Sequence, residues 1–151
     1  MNKDVTVILC VAKEDEKYLE EKIGKYAKFP IVISRTVGLG KARRECIDKV
    51  TTPYCLILDL DTVLPDEYLD YALWILHDNN DVAVVAIDYE KLQGHLAIGT
   101  SVWRTKILKK LYDYQNYKGE LCECVFMLHK VLQNNYKIET LNYRAIHLKE
   151  K

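Results

Sequence analysis

The sequence predicts an α/β fold in which helices cover both faces of a mostly parallel central sheet. Two observations predict it. Four short apolar runs, Val5–Ala12, Ile31–Ser34, Tyr54–Leu58 and Val82–Ile87, are continuous rather than alternating, as strands buried on both faces are. Stretches with helical spacing separate them, and strands alternating with helices mean βαβ units.

The elements follow in chain order. After Val5–Ala12 comes a helix over Glu14–Lys28, with Leu19, Ile23, Tyr26 and Ala27 on one face. Ile31–Ser34 leads through a glycine turn to a helix over Lys41–Val50, whose inner face is Ala42, Cys46, Ile47 and Val50. Tyr54–Leu58 is followed by a helix over Pro65–His77, where Pro65, Asp66 and Glu67 suit a first turn. Beyond Val82–Ile87 the pattern becomes less regular. Tyr89–Gly94 reads as a loop and His95–Trp103 as a weaker strand. Thr105–Tyr114 and Glu120–Gln133 read as helices, and Tyr136–Glu139 and Tyr143–His147 as short strands. A single domain over 1–151 is expected, with a nucleotide-binding half at 1–88 and an acceptor and catalytic half at 89–151.

Composition narrows the function. The chain has 151 residues, 49% hydrophobic and 29% charged, which is globular and rules out a disordered chain. Lys+Arg and Asp+Glu both number 22, so no nucleic-acid partner is expected. The apolar runs are far shorter than the ~20 residues that span a bilayer. Met1 to Asp4 leads straight into a strand with no signal-peptide pattern, so a cytoplasmic location is expected. The 5 cysteines are an odd count, which argues against a disulfide framework. Cys10 and Cys55 read as core residues. Cys122-Glu123-Cys124 is half of a zinc pattern with no second pair, and His129 falls on another helix face, which argues against structural zinc.

In open parallel sheets, ligands bind beyond the carboxyl ends of the strands, so chemistry is expected just after Ala12, Ser34, Leu58 and Ile87. Asp59-Leu60-Asp61 stands at one of these ends. Strand alternation puts both carboxylates on one side and turns Leu60 inward. Such a pair suits a hard divalent cation that grips a diphosphate, or alternatively a polar strand end. Val37-Gly38-Leu39-Gly40-Lys41-Ala42-Arg43-Arg44 opens a helix, and amides there suit an anion. Lys41, Arg43 and Arg44 add positive charge. Gly38, Gly40 and Arg43, with Asp59 further on, also mimic a dinucleotide fingerprint, as in an oxidoreductase. Arg43 is too bulky for the third glycine of that pattern.

Taken in order, these segments resemble the GT-A glycosyltransferases, family 2 above all. The resemblance rests on Gly38-Leu39-Gly40-Lys41-Ala42-Arg43-Arg44, Asp59-Leu60-Asp61, Pro65, Gly99-Thr100-Ser101-Val102-Trp103-Arg104, Glu123-Cys124, Asn135-Tyr136-Lys137-Ile138 and His147. It implies a GT-A type, Rossmann-like domain that moves a sugar from a nucleoside-diphosphate sugar to an acceptor hydroxyl on a glycan, lipid or protein, with inversion. It further implies a divalent ion, Mn or Mg, held by Asp61 with Asp59 and His147. Ala12, Arg35, Lys41, Arg43 and Asp59 would bind the nucleotide. Glu123, with Glu120 as the fallback, would be the base. Trp103 and the tyrosines at 112, 114 and 117 would stack on sugar or base. With Lys106, Lys109 and Lys110, the Tyr112–Tyr117 segment would instead touch a membrane peripherally.

The sequence departs from the family at Arg44, where asparagine is usual, and at Cys124, where an aspartate is usual. Ser34-Arg35-Thr36 replaces the acidic loop after the second strand. These departures imply a compact or diverged member, with a non-enzymatic nucleotide or sugar-nucleotide binding module as the alternative.

Overall fold

The structure, a computed structural model, describes residues 2–87, 98–112 and 123–148. Six strands form the central sheet: β1 (Val5–Cys10), β2 (Ile31–Ser34), β3 (Tyr54–Leu58), β5 (Val82–Ile87), β6 (Val102–Arg104) and β7 (Lys137–Leu141). Their order is β2-β1-β3-β6-β5-β7. β1 is parallel to β2 and β3, and β5 is parallel to β7. β6 alone is antiparallel, wedged between β3 and β5. A separate two-stranded ladder pairs β4 (Thr62–Val63) with β8 (Ile146–His147).

The helices are α1 (Glu16–Lys25), α2 (Leu39–Lys49), α3 (Tyr68–Asp78), α4 (Thr105–Leu111) and α5 (Glu123–Gln133). Strand alternation sorts the apolar side chains into two cores, one on each face of the sheet. Val5, Val7, Leu9, Leu56 and Leu58 pack with Leu19 of α1 and Leu69, Leu73 and Leu76 of α3. Ile8, Cys55 and Ile57 pack on the other face with Ile47 of α2, Leu108 of α4 and Val131 of α5. Double coverage explains why these strands read as unbroken apolar runs.

The sequence places β2, β3 and β5 at their observed bounds. β1 ends at Cys10 rather than Ala12, because a 3-10 turn begins at Lys13. The predicted strand over His95–Trp103 is instead a 3-10 turn at Ile98–Thr100 followed by β6. The Tyr89–Gly94 loop and the start of the Glu120–Gln133 helix lie outside the described residues.

Candidate functional site

The carboxyl ends of β1, β2 and β3 open into a cleft of about 770 Å³. Residues 10–16 form one wall, Arg35 to Leu39 and Ala42 the second, and Asp59, Leu60 and Asp61 the floor. Gly38 stands at the mouth with φ +99°, a left-handed conformation that favours glycine. Its carbonyl accepts from Ala42 N at 2.9 Å and starts α2. The next amides of the turn have no helical partner. Val37 and Leu39 project outward from this rim, 94% and 52% exposed.

Asp59 and Asp61 both line the cleft while Leu60 is buried. A turn closed by Thr62 N donating to Asp59 O at 3.1 Å sets their spacing. Leu148 N donates to Asp61 O at 2.6 Å, so the chain's last described residue fastens this turn from outside. The two carboxylates have different surroundings. Asp59 Oδ1 accepts from Arg43 Nη2 at 3.0 Å. Its other oxygen lies against Gly99, where a Cβ would fall 1.9 Å from Oδ2. Asp61 has no ion pair among the described residues; the Thr62 hydroxyl lies 3.4 Å from Oδ1, and the buried Lys22 ammonium interacts with the carboxylate from farther off.

Among the described residues that line the cleft, the acids Glu14, Asp15, Glu16, Asp59 and Asp61 outnumber the bases Lys13 and Arg35. Arg35 is already spent on Glu16, donating to Oε1 at 2.8 Å across the rim. A diphosphate entering this space would meet repulsion unless a cation came with it.

The remaining candidates divide. Ala12 is exposed on the cleft wall. Lys41 is exposed on α2 outside the cleft lining. Arg43 does not line the cleft either. It is 4% exposed and bridges Asp59 to Glu123 Oε1 at the start of α5. Burial pulls its pKa down, but the charges of Glu123 and Asp59 outweigh that and leave it above the ordinary arginine value. Arg44 turns to α4, donating to the carbonyls of Lys109 at 3.2 Å and Tyr112 at 2.5 Å. Those are open carbonyls at a helix end, where a cation is favoured. Arg43 and Arg44 are thus committed to Asp59 and to the second half of the chain, and neither lines the cleft.

Two stacking assignments are corrected. Trp103 is fully buried in β6, and its indole N–H donates to Ser101 Oγ at 2.7 Å. Its position between β3 and β5 commits it to the core. Tyr112 is also buried, and its hydroxyl donates to Glu123 Oε2 at 2.8 Å. Burial, and then the Glu123 charge, push that phenol above its ordinary pKa. Tyr114, Tyr117 and Glu120 lie outside the described residues. His147 is exposed on β8, opposite Thr62, with Nδ1 3.5 Å from the Thr62 hydroxyl.

Cys10, read as core, is half-buried at the cleft wall. Its hydrogen bond with Cys46, and then burial, hold its thiol protonated. Sequence reasoning missed Glu16 and Glu45, the partners of the loop after β2. Glu45 accepts from Thr36 Oγ1 at 2.6 Å and Ser34 Oγ at 3.1 Å. The signal was Ser34-Arg35-Thr36, whose hydroxyls and charge need acidic neighbours.

A cleft at strand ends with an acidic pair on its floor is shared by many proteins, but its sequence frame is not. The profile described as glycosyl transferase family 2 matches residues 3–135. The chain belongs to that family. Among curated proteins none matches the chain. In structure it is similar to TarS of S. aureus, solved in complex with UDP-GlcNAc, at TM-score 0.70 and 17% identity over 93% of this chain and 57% of that one. It is similar to the mannosyltransferase PcManGT of Pyrobaculum calidifontis, in complex with GDP-Man and Mn2+, at TM-score 0.69 and 13% identity over 94% and 55%. Glucosyl-3-phosphoglycerate synthase of Mycobacterium tuberculosis gives TM-score 0.68 and 10% identity over 99% and 73%. The fold is thus GT-A. The chain spans a little over half the length of the first two of these proteins. Among the described residues no helix is long and apolar enough to cross a membrane.

Proposed function

We propose that this family 2 domain transfers a sugar from a nucleoside-diphosphate sugar to an acceptor hydroxyl on a glycan, lipid or protein, with a divalent ion, Mn or Mg, and inversion. The observation that carries the reading is the acidic cleft at the ends of β1, β2 and β3. Its shape suits a nucleotide and its charge asks for a cation.

The donor set fits such an ion. Among the described residues no three His, Cys, Asp or Glu side chains converge as a metal cage. A hard cation that arrives with a diphosphate needs only one or two carboxylates, with phosphate oxygens and water completing its shell. Asp61, without an ion pair among the described residues, would be the main ligand. Asp59, half committed to Arg43, would assist, and His147 would approach from β8. When bound, the ion neutralises charge on the leaving diphosphate. Ala12 and the rim at Arg35 would contact the nucleoside.

In the transfer, the bond between the anomeric carbon and the diphosphate oxygen breaks. The acceptor oxygen bonds to that carbon from the opposite face and gives its proton to a carboxylate. Both oxygens of Glu123 are engaged, Oε1 by Arg43 and Oε2 by Tyr112, and the side chain lies outside the cleft lining, so this carboxylate is occupied where it stands. The base is therefore assigned to another carboxylate of the second half, Glu120 first.

Calorimetry with UDP and GDP tests this reading. Binding in manganese or magnesium should collapse in chelator, and Asp61→Asn should lose the same metal-dependent binding while keeping its fold. Equal affinity with and without metal would reject the ion. Binding without any transfer or donor hydrolysis would favour a non-enzymatic sugar-nucleotide module.

A further inference from the structure

Arg43 stands between two carboxylates from distant parts of the chain. Asp59 lines the cleft, with its side chain 44% exposed, whereas the Glu123 side chain is 16% exposed and lies outside the cleft lining. The guanidinium donates to one through Nη2 and to the other through Nη1. Its Nε is buried without a partner, so among the described residues the two carboxylates are the groups that hold the guanidinium by hydrogen bonds. Tyr112 holds Glu123 from the other side, and the same hydroxyl lies 3.4 Å from Gly40 O. The cluster of Asp59, Arg43 and Glu123 carries one positive and two negative charges.

We infer that Arg43 and Glu123 are positioning residues for the donor site: Arg43 aims the Asp59 carboxylate, and Glu123, by sharing Arg43, leaves Asp59 enough negative charge to attract a cation-bound diphosphate. The inference rests on the donor reading above. Its sign follows from the geometry. With Glu123 in place, one guanidinium is divided between two carboxylates. If Glu123 loses its charge, Arg43 neutralises Asp59 alone, and the cleft floor loses attraction for the cation. The effect reaches the nucleotide although Glu123 never touches it. A residue that served only as the base would leave donor affinity alone.

The test is Glu123→Gln, measured by calorimetry with UDP and GDP in manganese. An amide still accepts from Arg43, and the Tyr112 hydroxyl can accept from the amide nitrogen, so the fold is kept. Nucleotide affinity should fall by roughly threefold to thirtyfold, the range of a coupled network. Val131→Ala is the control. Val131 is fully buried on α5, in the core beneath the helix, so its truncation loosens α5 without changing the ion cluster. It should lower the melting temperature and leave nucleotide affinity unchanged. Arg43→Lys, which keeps the charge but loses the fork, should weaken binding at least as much as Glu123→Gln. Wild-type affinity in Glu123→Gln, or an equal loss in Val131→Ala, would overturn the link alone. A wild-type chain that binds neither nucleotide in manganese would overturn the donor reading, and this inference with it.

Discussion

The two sides of α2 handle charge in opposite ways. Toward β1 and β2 the helix starts at an open cleft, where among the described lining residues five carboxylates stand against two cations, one of them already paired. Toward α4 and α5 it presents Arg43 and Arg44, which close a buried seam by charge pairing and helix-end contacts. Asp59 belongs to both regions and Asp61 only to the first. The open side keeps unbalanced charge that water can screen, ready for a charged ligand. The closed side cannot, because a buried charge without a partner costs several kcal/mol. Binding capacity and structural economy thus separate within one helix.

Breaking the closed side should have the largest effect. Arg43→Met leaves Glu123 facing Asp59 with no cation between them. Removing one partner of a buried pair costs about 3–5 kcal/mol. The Asp59 side chain is 44% exposed, so water screens part of the penalty and about 3 kcal/mol is expected. Urea unfolding measures it. A change below about 1 kcal/mol, the scale of a surface pair, would mean that the seam is no more buried in energy than the rim.

A smaller and more local change sharpens the boundary between the two regions. Gly99→Ala would place a Cβ 1.9 Å from Asp59 Oδ2 and 2.3 Å from its Cγ. Either the Ile98–Thr100 turn shifts or Asp59 swings away from Arg43. Overpacking of this kind costs about 1–3 kcal/mol, and nucleotide affinity should drop with it. Gly24→Ala is the contrast. Nothing lies within 4 Å of its Cβ, and in a helix alanine is favoured by about 0.5–1 kcal/mol. If both substitutions were neutral by thermal melting and calorimetry, the close approach at Asp59 would have no mechanical meaning.

The open region was far more legible in the sequence than the seam. Tyr54–Leu58 and Asp59-Leu60-Asp61 declare a buried strand and its acidic end by composition alone. The cleft wall after Ala12 follows from the general rule for parallel sheets. The seam depends on which side chains meet across the fold. Arg43 and Glu123 are 80 residues apart, and nothing in local spacing links them. A basic residue near the start of α2 looks like an anion ligand until α5 is seen to supply its carboxylate. Trp103 misled for a related reason. An indole suits a sugar face or a core equally well, and only its register between Cys55 and Val84 decides. The β4–β8 ladder went unread as a pairing because Thr62–Val63 is too short to show any period.

The smallest expected effect lies on the open side, where Glu45 ties the loop after β2 to α2. The Thr36 hydroxyl, and then that of Ser34, hold its carboxyl below the ordinary glutamate value of 4.5. A depressed folded pKa contributes stability that is complete above the unfolded value and is lost as pH falls through the folded one. The Glu45 contribution should therefore be constant from neutrality down to about pH 4.5 and vanish below it. Glu45→Gln should melt slightly lower than wild type at neutral pH, and the gap should close only in acid. Arg35, carried by the same loop, lines the cleft proposed to take the nucleotide, so acid should also weaken nucleotide binding more in the wild type than in the variant. Parallel melting curves at every pH would show that water already screens the Glu45 contacts completely, and that the loop is ordered instead by the backbone bond from Val11 N to Ser34 O at 2.8 Å.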